Sequence, residues 1–141
     1  MESNASRYEF MAEPFHCDFS HHLFLGHLGN HLLNASDFHS DEHDFGVVYL
    51  NKRNATWVLS RLAIEMNEMP REYDKFTIET WVENVYRFFT NRNYAIQGTD
   101  GKVYGYARSV WAMIDKDNRQ PVDLLSIRNG AINEYMMPEK Q

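Results

Sequence analysis

Apolar and polar residues alternate over long stretches in the second half of the chain. In residues 57–66 (WVLSRLAIEM), Val58, Leu62, Ile64 and Met66 share one face of an extended segment, with Ser60 as a polar exception. Residues 76–89 (FTIETWVENVYRFF) place Phe76, Ile78, Val82, Tyr86 and Phe88 on one face and Glu79, Glu83 and Arg87 on the other, where solvation or cross-strand ion pairing is expected. A short run at 93–97 and a long one at 102–115 follow. Asp100-Gly101 lies between them, a strong hairpin signal. Before these strands a helical rhythm occurs once: Leu25, Leu28 and Leu32, with Leu33 beside them, recur at spacings of three and four.

The pattern predicts a helix over about 23–36, capped by Asp18 or Ser20. Gly26 and Gly29 weaken that helix, so they are expected to let the sheet backbone cross closely. Residues 7–19 read as an edge or entry strand, because Pro14 cannot donate to a central ladder. Residues 37–55 read as a charged loop with a short extended piece at 47–50. The tail from Asn118, with Pro121, Gly130 and Pro138, reads as an extension.

Strand, helix, then long antiparallel strands is the order of an α+β hotdog fold, an antiparallel sheet wrapped around one central helix. A cystatin-like fold shares the order, but its helix is more solvent-facing than LFLGHLGNHLL. The expected organisation is a hotdog domain over 1–124 and a linker or tail over 125–141. Such a sheet leaves an outer strand edge unpaired, so self-association is expected to close it.

Composition narrows the function. The chain has 141 residues, enough for one core. A formal charge of −6 argues against broad nucleic-acid binding. Cys17 is the single cysteine, no signal-peptide pattern opens the chain, and no apolar run approaches the roughly 20 residues of a membrane span. A cytoplasmic location is expected.

The strings AEPFHCDF (12–19), LGNHLLNASDFH (28–39), WVLSRLAIEMNEMP (57–70), TWVENVYRFFTNRN (80–93) and GYARSVWAMID (105–115) with its continuation to PVDL resemble the N-terminal half of bacterial and plant-type acyl-ACP thioesterases. The resemblance implies a tandem-hotdog enzyme that hydrolyses fatty acyl-ACP thioesters in fatty-acid synthesis, with acyl carrier protein as its partner. It also implies that the Asn-x-His pair belongs to the second repeat, and no Asn-x-His string occurs here. This chain is therefore expected to supply the acyl-binding first repeat. A non-catalytic acyl-binding module is the alternative, and a dehydratase or isomerase on the same fold is a weaker third reading.

Thioester hydrolysis needs a group that activates water, a donor for the thioester oxygen, and an apolar tunnel. The strand-to-helix junction offers Asp18 as a general base and His22 to orient a water, with backbone N–H at the helix start as the donor. The plainer reading has Asp18 capping the helix and the histidines solvated. Candidate acyl-pocket residues are Leu25, Leu28, Leu32, Trp57, Trp81 and Trp111, joined by Met66 and Met113, although core packing is the plainer explanation of the aromatics.

All seven histidines fall between His16 and His43. His27 and His31 share a helix face, and His39 and His43 lie among acidic residues, yet neither group matches an established zinc spacing. No cofactor or metal is called for. Cys17 carries no mark of an activated thiol. An acidic carrier would dock on basic residues, for which Lys52, Arg53, Arg87, Arg92 and Arg108 are candidates.

Overall fold

The computed structural model describes residues 5–43, 45–125 and 136, so most of the segment assigned to a linker or tail lies outside the described residues. Its elements are β1 (Ser6–Met11), a 3-10 turn at Pro14–His16, α1 (Leu25–Glu42), α2 (Val47–Asn51), β2 (Ala55–Met66), β3 (Lys75–Val85), β4 (Phe89–Gly98) and β5 (Val103–Asp115). The strands form one antiparallel sheet in the order β1-β3-β4-β5-β2. Helix α1 lies against its inner face, the hotdog arrangement.

The core follows from alternation. Phe76 and Ile78 on β3 and Tyr94 and Ile96 on β4 point inward and pack with Leu28, Leu32 and Ala35 of α1. Each fully buried Leu or Ile contributes about 1.5–3 kcal/mol. Entry strand β1 sits at the sheet edge, and Pro14 opens the 3-10 turn beyond it. The Asp100-Gly101 hairpin closes through Gly98 N–H donating to Lys102 C=O (2.6 Å), with Gly101 at φ +90°.

Several local expectations are corrected. Helix α1 begins at Leu25 and continues past 36 to Glu42. Its N-cap is Phe24, with no side-chain cap, because Asp18 and Ser20 bond within a separate turn. The polar extension survives because His39 and Ser40 are buried, while Tyr8 and Ser6 hydroxyls donate to Glu42 (2.6 and 3.1 Å) and fasten the helix end to β1.

The expected extended piece at 47–50 is helix α2; Leu50 at its end packs with Ala55, Met113 and Leu124, and that tertiary contact overrides the valines' strand preference. The expected single strand over 76–89 is two elements. Strand β3 ends at Val85, and Tyr86 N–H donates to Phe89 C=O (2.8 Å) to reverse the chain, leaving Tyr86 and Phe88 exposed.

Bulges explain the imperfect alternation. The β2–β5 register shifts between Leu59 and Arg61, so Ser60 is the extra residue. Trp57 and Leu59 lie on the inner face before it, and Leu62, Ile64 and Met66 after it. Val58 therefore faces out, 39% exposed, rather than sharing a face with Leu62. A second shift between Val82 and Asn84 makes Glu83 the extra residue of β3.

Gly26 and Gly29 do not mark a close backbone crossing. A Cβ at Gly29 would meet nothing within 4 Å, and one at Gly26 would meet only the Phe24 ring. The close approach is at Gly105 on β5, where a Cβ would overlap the Glu65 carbonyl oxygen and lie 2.8 Å from Met66 Cα. Gly105→Ala is expected to destabilise the fold by about 1–3 kcal/mol. Gly29→Ala is expected to stabilise it by up to about 1 kcal/mol, both read from urea unfolding midpoints.

Candidate functional site

At the junction before α1 the chain makes a tight turn. Asp18 N–H donates to His22 C=O (2.8 Å) and His21 N–H to Asp18 C=O (3.0 Å), with His21 at φ 64°. Ser20 N–H donates to Asp18 Oδ1 at 2.9 Å. The Ser20 hydroxyl lies between that oxygen and His22 Nδ1, which is 3.1 Å from it. The Ser20 hydroxyl, joined by the N–H groups of Ser20 and His22, holds the Asp18 carboxyl below its ordinary range. Asp18 and His22 are thus brought together through Ser20, at an exposed carboxylate that is a weakened base.

A different place offers a cavity. Between α1 and the sheet lies a space of about 300 Å³, walled by Leu33, Trp57, Val82 and Trp111. Ser36, Ser40, Thr90 and Arg92 also line it, with Asn34 and Asp37 of α1. Among the candidate pocket residues, Trp57 and Trp111 line this cavity. Leu28 and Leu32 are fully buried in the core beside it, and Leu25 is 54% exposed at the helix start. Trp81 pairs with Asn93 and faces the outer side of the sheet, where it is buried beside Glu83, Asn93 and Arg108. Met113 packs in the cluster with Leu50, and Met66 against the main core.

A polar seam runs under the cavity. Ser36 Oγ donates to Leu32 C=O (2.9 Å) and meets Tyr94 Oη at 2.5 Å. Tyr94 Oη lies 2.8 Å from Ser109 Oγ, which accepts the Trp111 indole N–H at 2.7 Å. Beside it, buried Arg92 donates to His39 Nδ1 (2.8 Å), Thr80 Oγ1 (3.1 Å) and Ser40 Oγ (3.1 Å). Arg92 is accordingly withdrawn from the basic docking candidates. Arg87 and Arg108 are ion-paired with Asp123 and Glu83, and Arg53 stacks over the Tyr49 ring at 3.8 Å, while Lys52 and Arg53 stay exposed.

The serines, threonines and Tyr94 of this seam are not among the sequence candidates, and Arg92 is one only for docking, although a signal exists. Ser36 and Ser40 continue the Leu28–Leu32 stripe at intervals of four, and Thr80, Arg92 and Tyr94 stand at core-facing strand positions. Polar residues in the core phase of two elements mark a buried polar site.

The histidines do not form a metal centre among the described residues, where no three His, Cys, Asp or Glu side chains are placed to hold one. His16 and His27 stack at 4.2 Å, and His31 packs on Phe10 and Phe76. Burial, with the nearby His16, pushes the His31 pKa down. The Cys17 thiol is pushed up by burial and by Glu72 and Asp18, the opposite of an activated nucleophile.

Residues 4–128 match the family model of the acyl-ACP thioesterase N-terminal domain. The chain belongs to that family. A crystal structure of an acyl-ACP thioesterase from Bacteroides thetaiotaomicron is 58% identical with a TM-score of 0.80, over 84% of this chain and 49% of that one. Oleoyl-acyl carrier protein thioesterase 1, chloroplastic, of Arabidopsis thaliana is 30% identical over 89 residues, 62% of this chain and 24% of that protein. The chain thus spans about a quarter of that plant relative and about half of the bacterial one. DHNA-CoA thioesterase from Staphylococcus aureus shares the fold, with a TM-score of 0.85 at 17% identity. No helix among the described residues is long and apolar enough to cross a membrane.

Two outcomes follow from this geometry. Ser109→Ala leaves the Trp111 N–H without its acceptor and removes a partner of Tyr94, so thermal or urea unfolding should show a loss of about 1–3 kcal/mol. A lowered His31 pKa means the unfolded chain takes up that proton first. Stability should therefore fall as pH drops below the ordinary histidine value of 6.5. His31→Leu should flatten that part of the profile, measured by denaturation at stepped pH.

Proposed function

We propose that this chain forms the acyl-binding first hotdog unit of an enzyme that hydrolyses fatty acyl thioesters of acyl carrier protein. The observation that carries the reading is the cavity walled by Leu33, Trp57, Val82 and Trp111, in a chain of the acyl-ACP thioesterase N-terminal family. The hydrocarbon part of that wall removes an acyl chain from water while the thioester stays outside. Trp57 and Trp111 set the cavity's width, and Leu28 and Leu32 back it from the core.

The enzyme works in fatty-acid synthesis as a cytoplasmic protein. It assembles as a dimer or larger oligomer along β2, which among the described residues pairs only with β5 and leaves its outer edge open. The carrier docks on exposed basic residues, of which Lys52 and Arg53 are the best placed. In a self-assembled catalytic version, Asp18 and His22 act on water at the helix start.

A second reading, a module that binds acyl groups without turnover, is favoured by one observation. The Asp18 carboxylate is engaged by Ser20 and its charge is stabilised, which weakens it as a base.

The deciding experiment is hydrolysis of palmitoyl-ACP and shorter acyl-ACPs by the 141-residue chain, read as free thiol release, with native mass measured in the same buffer. Turnover that falls at least tenfold in Asp18→Asn/His22→Gln places the chemistry at that turn, and unchanged turnover in that variant removes it. A folded oligomer that binds acyl-ACP without turnover supports the binding module. Absence of both binding and turnover sinks the proposal.

A further inference from the structure

We propose that the cavity beneath α1 selects acyl chains carrying an oxygen function, a hydroxyl or a carboxylate, at the end remote from the thioester. This rests on the reading of that cavity as the acyl site and names the substrate class it takes.

The argument starts at Arg92, which is 4% exposed and lines the cavity. A guanidinium has five N–H donors and no acceptor. Three of its donations are accounted for by Thr80 Oγ1, Ser40 Oγ and His39 Nδ1. The hydroxyls carry no charge, and His39 meets the guanidinium through a ring nitrogen. Among the described residues Arg92 forms no ion pair. A buried cation with no carboxylate among its hydrogen-bond partners is disfavoured, and an incoming oxygen acceptor relieves it.

The surroundings point the same way. Ser36, Ser40 and Thr90 bring hydroxyls to a cavity whose other wall is tryptophan, leucine and valine. A saturated hydrocarbon end would press methylenes against a guanidinium and three hydroxyls, stripping them of water and returning nothing. Asp37 shares the cavity wall, and a hydroxyl accepts from Arg92 without adding a second negative charge beside it. A carboxylate instead takes two N–H bonds from Arg92 and must outweigh the repulsion of Asp37. The volume of about 300 Å³ holds a chain of limited length. The probes are accordingly ten-carbon chains, with their oxygen at the tenth carbon.

The test uses the full chain and amide analogues in which nitrogen replaces the thioester sulfur, so that nothing turns over. Decanoyl-, 10-hydroxydecanoyl- and 9-carboxynonanoyl-aminopantetheine are titrated at pH 7.5, following tryptophan fluorescence. At least one oxygenated ligand should bind about ten- to a hundredfold tighter than decanoyl. Arg92→Gln should erase that preference and Arg92→Lys keep part of it, with circular dichroism confirming that each folds. If Arg92→Gln does not fold, the wild-type comparison decides alone. Decanoyl binding as tightly as both oxygenated ligands overturns the inference and leaves the acyl cavity standing. Binding of none of the three overturns both.

Discussion

Helix α1 has to be buried along one side for its whole length, yet only the first half of that side is apolar. Leu28, Leu32 and Ala35 carry the stripe through its first turns, and then Ser36, His39 and Ser40 occupy the same buried line. The sheet answers in kind. Opposite the leucines it presents Phe76, Ile78 and Ile96; toward the other end come Thr80, Arg92, Tyr94 and Ser109. One half of the helix–sheet interface is held by hydrophobic burial, the other by hydrogen bonds that cost heavily if any partner is lost. The cavity lies at the polar half, where close packing of hydrocarbon gives way to groups that must be met one by one.

This division sets the turn apart from the cavity. Asp18, Ser20 and His22 belong to a solvated turn ahead of the helix, whereas the cavity belongs to the far half of the helix and the strands beneath it. Residue chemistry at the turn is charged, exposed and locally satisfied. In the cavity it is buried and spread over α1, β2, β3, β4 and β5. The turn and the cavity are therefore different parts of the molecule, with no residue in common.

Much of the fold was legible. The leucine spacing placed the helix, the Asp100-Gly101 turn placed the last hairpin, and the strand order led to the hotdog arrangement. What failed did so for physical reasons. Helix α1 runs past 36 because burial of His39 and Ser40 is specified by strands distant in sequence. The valines before Leu50 enter a helix because Leu50 is needed in a core formed with Met113 and Leu124. The glycine expectation went to the wrong residues, since only the pairing of β5 with β2 reveals that Gly105 meets Glu65. The tryptophans share a residue type but not a side of the sheet, and Arg92, assigned by charge to the surface, is interior.

The extra residue at Ser60 has a consequence for how roles pass between relatives. Trp57 and Leu62 lie an odd number of positions apart yet share the inner face, because one residue between them is spent without advancing the ladder. An alignment that sets its gap on the wrong side of Ser60 would still match the apolar letters, but it would carry a cavity wall to the solvent side of the strand. Comparisons of pocket composition across the family need the bulge aligned before the residues are.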